Sequence, residues 1–161
     1  MAALKQFIKM NKFNSNIEFE ELTDSNLISL TEMTIELWPE CDFDEEKNNW
    51  KELINDRNHF VQLAKLDKGY VGFIHASIRH EYVEGKDFGS VAYLEGIYTR
   101  SAYRNQGIAR QLLINTEKWA KSKGLNQIAS DTEIANTISQ DFHQRSGFSE
   151  VNRIVCFIKN I

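Results

Sequence analysis

Residues 91–123 read VAYLEGIYTRSAYRNQGIARQLLINTEKWAKSK, the pattern of an apolar strand, a turn and an amphipathic helix. The apolar spacing predicts a strand over Val91–Thr99 and a helix over about residues 107–123. The turn between them consists of Arg104, Asn105, Gln106, Gly107, Ile108 and Ala109. Free N–H groups at a helix N-terminus carry partial positive charge, Gly107 lets an anion approach closely, and Arg104 offers a bidentate donor. The sequence therefore predicts a phosphate-binding turn, with a helix start that uses glycine for tight packing as the alternative.

The chain has the size and composition of one globular domain, with 161 residues of which 42% are hydrophobic. No apolar run approaches the roughly 18 residues of a membrane span, and the first residues do not resemble a signal peptide, so a cytoplasmic location is expected. Cys41, Cys156 and the four histidines have no ligand-like spacing. This predicts neither a disulfide nor a metal site.

Charge is distributed unevenly along the chain. The net charge is −4, yet residues 17–56 contain 13 of the 23 acidic residues and only Lys47 and Lys51 as bases, a local charge of −11. This segment suits a cationic partner and the more basic remainder suits an anionic coenzyme, although two solvated helix faces are the plainer alternative. A pI near 5.6 without a basic stripe argues against nucleic acid as a partner.

The remaining elements follow from periodicity and from turn residues. A first helix is predicted after a cap at Thr23 or Asp24 and ends at Pro39. A second helix is predicted after a cap at Asp44, and a further one over about residues 135–146. Asp67, Lys68 and Gly69 predict a hairpin. The further predicted strands are residues 17–22, 60–66, 70–79, 127–130 and 148–158.

The pattern Arg-x-x-Gly-x-Ala at residues 104–109, the order of elements, and Gly147-Phe148 after the last helix resemble the GCN5-related N-acetyltransferases (GNAT). The resemblance covers residues 17–161 as a single domain and leaves residues 1–16 as an N-terminal extension. It implies an α/β (α+β) fold in which a mixed, mostly antiparallel central sheet is splayed between two central strands, with helices on both faces.

The same resemblance implies acetyl-CoA as co-substrate, lying between the splayed strands. The backbone of Ile97, Tyr98 and Thr99 would face the pantetheine, residues 104–109 would hold the pyrophosphate, and Asn136 would reach the coenzyme from the following helix. Gly96 suits a bulge at the splay, with close strand packing as the alternative.

Three titratable residues are the predicted catalytic groups. His143 stands where many GNAT relatives have a tyrosine that protonates the departing thiolate, and an imidazole can supply a proton near neutral pH. An exposed helix histidine without a role in the reaction is the alternative. Glu95 and Asp131 are carboxylates in or beside apolar strands, where an unpaired charge is costly. Either could bind the acceptor amine and take its proton, directly or through a water, and a structural salt bridge is the alternative.

Several segments resemble one GNAT subfamily, the bacterial aminoglycoside 6′-N-acetyltransferases. They are LWPE at 37–40, SIRHEYVEG at 77–85, LEGIY at 94–98, WAKSKG at 119–124 and ASDTEIANTIS at 129–139. By this resemblance the antibiotic cleft is lined by Trp38, Glu81, Tyr82, Glu95 and Asp131. The aromatic rings would face sugars and the carboxylates would receive ammonium groups, although core packing would also explain Trp38 and Tyr82.

The resemblance therefore predicts acetyl transfer to the 6′-amino group of an aminoglycoside, directly within a ternary complex. Neither cysteine lies in a motif with a base, so no acyl-enzyme is expected. The alternatives are an acetyltransferase for polyamines or protein N-termini, and a non-catalytic acyl-CoA-binding sensor. A homodimer is also expected, formed by pairing of the apolar last strand across chains.

Overall fold

A computed structural model of the chain describes residues 16–67 and 69–161. The predicted N-terminal extension, apart from residue 16, lies outside the described residues, as does Lys68 of the hairpin turn. The strands are β1 Ile17–Glu21, β2 His59–Leu66, β3 Gly69–Arg79, β4 Val91–Thr99 and β5 Ile128–Ala129. The helices are α1 Leu27–Leu37, α2 Phe43–Glu52, α3 Ile108–Ser122 and α4 Thr137–Arg145. None of the helices described is long and apolar enough to cross a membrane.

The sheet has the order β1-β2-β3-β4-β5, antiparallel from β1 to β4 and parallel between β4 and β5. The parallel contact is short, because only Ala92 pairs with Ile128 and Tyr93 with Ala129. From Leu94 onward β4 has β3 as its only strand neighbour among the described residues. The expected mixed, mostly antiparallel and splayed sheet is therefore confirmed.

Each face of the sheet carries its own core. On one face Leu30 and Met33 of α1 and Trp50 of α2 pack against Phe73. On the other face the apolar stripe of α3 packs against the opposite side of β3, with Leu112 and Ile74 both fully buried. Burial of one such side chain contributes about 1.5–3 kcal/mol, so these two cores hold the helices to both faces, as expected.

Two helix starts differ from the sequence prediction. The cap of α2 is Asp42 rather than Asp44, because Asp42 is extended and its carboxylate accepts a hydrogen bond from the N–H of Glu45 at 2.9 Å. Helix α1 begins after Asn26, not after Thr23 or Asp24, because the Asn26 side chain ties the preceding turn to β1 by donating to the carbonyl of Glu21.

The predicted last strand at residues 148–158 is wrong, because residues 149–161 have no regular secondary structure. A strand needs a neighbour to pair its backbone groups, and within the described residues this segment has no strand beside it. Near its start, Val151 lies against Gly85 of the loop after β3 and Asn152 donates to Glu84 of the same loop. Its apolar side chains beyond that point are exposed, including Phe157 at 92%.

Two histidines form a hydrogen-bonded pair between β2 and β3. The Nδ1 of His59 lies 2.9 Å from the Nε2 of His75, and the His75 ring packs edge-on against Trp50. Burial, aided by the neighbouring His59, lowers the pKa of His75 to about 4. The folded chain therefore keeps His75 neutral at pH values where an unfolded histidine is charged.

This depressed pKa makes stability depend on pH. Between pH 6.5 and about 4, His75 binds a proton in the unfolded chain but stays neutral in the folded chain. The free energy of unfolding therefore falls as pH drops through this window. A shift of this size corresponds to at most about 3 kcal/mol. We expect His75→Asn to remove this part of the slope in urea unfolding measured from pH 4 to 7, whereas His80→Asn, at an exposed histidine, keeps it. Equal slopes in wild type and His75→Asn would contradict the assignment.

Candidate active site

The candidate site begins at an irregularity in β4. His75 of β3 lies opposite Gly96 and Ala76 lies opposite Leu94, so Glu95 is an extra residue in β4. This is the bulge predicted at Gly96, and it lies at the start of the part of β4 that has no β5 neighbour. The indole of Trp38 covers Gly96 at this point. Two predicted site residues, Trp38 and Glu95, are thereby brought to the splay.

Two side chains of β3 pair with the carboxylate of Glu95 and leave one acceptor position free on Oε2. Arg79 donates from Nε to Oε1 at 3.1 Å and from Nη2 to Oε2 at 2.6 Å, and Ser77 donates its hydroxyl to Oε1 at 2.5 Å. The Arg79 guanidinium also stacks on the ring of Tyr93, 3.4 Å from its centroid. A charge in a strand is tolerated when it is paired in this way. Glu95 is therefore held rigidly as an ion pair.

The ring of Tyr93 links this ion pair to Asp131. Burial and the adjacent carboxylate of Asp131 raise the pKa of Tyr93 to about 12. The phenol consequently stays protonated and donates to Asp131 at neutral pH. A carboxylate has about four acceptor positions, and no cation is paired with Asp131 among the described residues. Asp131 can therefore still receive an ammonium group.

His143 projects from α4 toward the end of β5. Its Nδ1 lies 2.7 Å from the carbonyl oxygen of Ser139, so this nitrogen carries a proton. Its Nε2 lies 2.9 Å from the hydroxyl of Ser130, and that hydroxyl lies 3.3 Å from the carbonyl of Leu94 in β4. When the Ser130 hydroxyl donates to the Leu94 carbonyl, its oxygen can accept a hydrogen bond from a protonated Nε2 of His143. When the hydroxyl rotates, it can instead donate to an unprotonated Nε2. Rotation of one hydroxyl thus accommodates both charge states of His143.

A cleft of about 440 Å³ is lined by several of these side chains. Its lining includes Asp131, His143 and Tyr82 from the predicted set, together with Arg79 and Tyr93. Tyr82 is 79% exposed at the rim, so it is not a core residue. Glu95 and Trp38 are not in this lining, but Arg79 connects the cleft to Glu95.

Glu81 and Tyr82 lie on the surface loop after β3. Hydrogen bonds from the backbone N–H groups of Glu81 itself and of His80 lower the pKa of the Glu81 carboxyl. The Tyr82 hydroxyl donates to Glu84 at 2.6 Å, which raises the pKa of Tyr82 and lowers the pKa of Glu84. Glu81, like Trp38 and Glu95, is not in the lining of the cleft.

The predicted phosphate-binding turn has the required backbone. Gly107, with φ of 82°, is the left-handed N-cap of α3, and no side chain caps this helix. Asn105 is also left-handed, with φ of 61°. The first backbone bond into the helix runs from Gln111 to Gly107, so the N–H groups at the start of α3 have no partner within the helix. They are available to an anion, without a Cβ at residue 107 in the way.

The open part of β4 fits an extended ligand. The Thr99 hydroxyl oxygen at the end of β4 is buried and has no hydrogen-bond partner among the described residues. Arg104 folds back to donate from Nε to the carbonyl of Thr99 at 3.0 Å, next to the turn. Asn136, in contrast, uses its side-chain oxygen to cap α4 through the N–H of Ser139. The backbone of Ile97, Tyr98 and Thr99 remains the surface on which the coenzyme implied by the sequence would lie.

Four residues of this network were missed by the sequence analysis. They are Ser77, Arg79, Tyr93 and Ser130. The only signal for Arg79 was its place in the strand next to the one that contains Glu95, because Arg79 pairs with Val91, four residues from Glu95, and only the long arginine side chain spans that distance. No sequence signal identified Ser130, whose role depends on the distance between β5 and α4.

The chain is similar in sequence and in fold to known acetyltransferases. A model of the acetyltransferase (GNAT) family matches residues 19–148. The chain is 36% identical over 137 residues to the aminoglycoside N(6′)-acetyltransferase type 1 of Serratia marcescens, which covers 84% of this chain and 94% of that protein. The solved structure of AAC(6′)-Iy in complex with the bisubstrate analogue CoA-S-monomethyl-acetylneamine has a TM-score of 0.87 at 33% identity, over 91% of this chain and 100% of that one. For AAC(6′)-Ih from Acinetobacter baumannii the TM-score is 0.85 at 36% identity, over 90% and 99%.

The ion pair between Arg79 and Glu95 is testable by a double-mutant cycle. The two side chains are 32% and 24% exposed, so Arg79→Gln leaves a half-buried carboxylate without its cation. We expect a loss of roughly 1–3 kcal/mol in the free energy of unfolding. Adding Glu95→Gln should recover part of it in denaturant titrations. The exposed pair of Arg145 and Asp141 is the control and should show no coupling. Additive effects at Arg79 and Glu95 would contradict the pairing.

Proposed function

The chain belongs to the acetyltransferase (GNAT) family, and we propose that it transfers the acetyl group of acetyl-CoA to the 6′-amino group of aminoglycosides. The observation that carries the proposal is the arrangement along the open part of β4. The turn that is predicted to bind phosphate follows its carboxyl end, and the cleft with Asp131 and His143 lies beside its start. Because acetyl-CoA is an intracellular metabolite, we also infer a cytoplasmic location.

The charge of the chain supports a polycationic acceptor. Residues 17–56, which include α1 and α2, carry a local charge of −11. Helix α2 has Asp44, Glu45 and Glu46 in its first turn. Such a field raises the local concentration of a cation. Acetylation of one ammonium group removes a positive charge and weakens salt-dependent binding to RNA phosphates, which would give resistance to the drug.

The coenzyme half of the site fits acetyl-CoA, which supplies an acetyl thioester when bound. The N–H groups at the start of α3, with Gly107 beside them, would hold the pyrophosphate. Ile97, Tyr98 and Thr99 would bind the pantetheine through their backbone, and the buried Thr99 hydroxyl would gain a partner. Arg104 lies beside the same turn.

Asp131 is the better candidate for the group that deprotonates the acceptor. An ammonium group must lose a proton before its nitrogen can attack, and its usual pKa is about 8 to 10.4. Both oxygens of Glu95 already accept from Arg79 and Ser77. Asp131 faces the cleft and, within the part of the chain that the structure describes, accepts a hydrogen bond only from the neutral Tyr93 phenol. We therefore assign proton removal, directly or through a water, to Asp131 and acceptor positioning to Glu95.

His143 would hold the proton that the departing thiolate needs. Its Nδ1 is anchored on the Ser139 carbonyl, which leaves Nε2 as the end that gains or loses a proton. Ser130 connects that nitrogen to the Leu94 carbonyl at the splay. Direct transfer is favoured over an acyl-enzyme, because burial and nearby carboxylates raise the pKa of the Cys41 thiol and disfavour the thiolate.

Release of free CoA thiol from acetyl-CoA tests the function. We expect turnover with kanamycin and little with a matched drug that carries a 6′-hydroxyl, since a hydroxyl is the poorer nucleophile. Spermidine and a peptide with a free N-terminal amine are the competing acceptors. Turnover of these two alone would exclude the antibiotic assignment, and acetyl-CoA binding without any turnover would indicate a sensor.

The assignment of Asp131 is tested by comparing two carboxylates. We expect Asp131→Asn to lower kcat for kanamycin about 100-fold, because general-base catalysis contributes that much or more, with an unchanged KM for acetyl-CoA. Glu95→Gln should act mainly on the KM for kanamycin. Asp141→Asn, at an exposed residue of α4, is the control. A large loss of kcat in Glu95→Gln alone would reverse the two roles.

We also infer that the chain forms a homodimer through its carboxyl-terminal segment. Ile154, Val155, Phe157 and Ile158 are 63–95% exposed, and β5 is a two-residue strand at the edge of the sheet. A groove of about 410 Å³ lies along β5. A second copy's segment could pair there and bury these side chains. Light scattering should give a dimer for the full chain and a monomer after removal of residues 154–161, whereas an unchanged mass would exclude this interface.

A further inference from the structure

We propose that Gly96 determines how the acceptor is held, because it admits the indole of Trp38 to the surface of β4 beside Glu95. This inference rests on the proposed function, since it concerns the acceptor of that reaction. Gly96 itself touches no reacting atom in this proposal. It is a positioning residue that acts through Trp38.

The contact between the two residues leaves no room for a side chain. A Cβ built on Gly96 would lie 2.7 Å from Cη2 and 3.3 Å from Cζ2 of the Trp38 indole. Non-bonded carbon atoms are not found 2.7 Å apart, so one of the two atoms would have to move. Any residue other than glycine at this position would therefore displace the indole ring from the strand.

The backbone that carries Trp38 is fixed on both sides. The Trp38 N–H donates to the carbonyl of Thr34 at 2.8 Å, and its own carbonyl accepts from Cys41 at 3.1 Å. Two residues earlier, in the last turn of α1, Glu36 pairs with Arg100 at 2.8 Å and accepts a hydrogen bond from the hydroxyl of Tyr98 at 3.0 Å. The end of α1 is thus bound to the end of β4. The strain of a new Cβ would be relieved by rotating the Trp38 ring outward, not by moving the helix.

The position of the ring matters because of what adjoins it. Gly96 directly follows Glu95, the bulged residue, in the part of β4 that has no β5 neighbour. Trp38 is partly buried against the core beside α1 and α2, and the outer edge of its ring meets the strand next to Glu95. An apolar wall therefore adjoins a carboxylate, the combination that suits an aminosugar ring with its ammonium group. The absence of a side chain at residue 96 sets the distance between that apolar wall and the strand.

A kinetic double-mutant cycle tests this coupling. Gly96→Ala, Trp38→Phe and the double variant are compared for the KM of kanamycin and the KM of acetyl-CoA. Phenylalanine is shorter than tryptophan and lacks the outer ring atoms that meet residue 96. We expect Gly96→Ala to raise the KM for kanamycin about tenfold in the wild-type background and less than about twofold in the Trp38→Phe background. The KM for acetyl-CoA should change less than about twofold in every variant.

Gly69→Ala is the matched control. Gly69 has no left-handed backbone and no atom within 4 Å of a built Cβ, so the same substitution there should change neither KM. An equal kanamycin penalty in both backgrounds, or an equal rise in both KM values, would overturn the proposal. If Gly96→Ala alone is too unstable to assay, the double variant decides, since it must keep the kanamycin KM of Trp38→Phe. Failure of the wild-type chain to acetylate any aminoglycoside would instead overturn the proposed function itself, before any variant is compared.

Discussion

The incomplete pairing of β4 is the constraint on which the rest of the site depends. Its hydrogen bonds with β5 stop after Tyr93, whereas those with β3 continue to Thr99. Backbone groups left open inside a domain are costly unless something satisfies them. Ser130 and Arg104 each supply one partner along this edge. The remainder of the open edge is where an extended ligand can bind as an additional strand.

A charged side chain beside the open part of β4 is stable only when a partner pairs with it. The bulge adds Glu95 to an apolar strand, and the side chains of Arg79 and Ser77 on β3 donate hydrogen bonds to its carboxylate. The guanidinium in turn lies on the Tyr93 ring, whose phenol is held neutral next to Asp131. One carboxylate is thereby neutralised while the other keeps free acceptor positions. Two acidic residues that look equivalent in the sequence acquire different chemistry from their neighbours.

The coenzyme and acceptor sides that we propose for the site come from different parts of the chain. The turn before α3 is local, since Gly107 and the first N–H groups of the helix form it within a few residues. The acceptor side combines the end of α1, the bulge of β4 and the residue after β5. Its geometry depends on contacts between distant segments, such as that of Trp38 with Gly96. Acceptor preference is therefore expected to vary among relatives more readily than coenzyme binding.

The sequence by itself determined the order of elements as far as α4, the hairpin, the bulge near Gly96 and the glycine turn before α3, because each depends on periodicity or on residues close together in the chain. Resemblance to a family added the splay and the acetyl-transfer chemistry. Only the tertiary structure decided that Arg79 neutralises Glu95, that Asp131 faces the cleft, and that Ser130 joins His143 to β4. It also decided that residues 149–161 form no strand. A local pattern can state that a segment is apolar, but whether it pairs, and whether a charge is free or compensated, depends on neighbours that folding alone brings together.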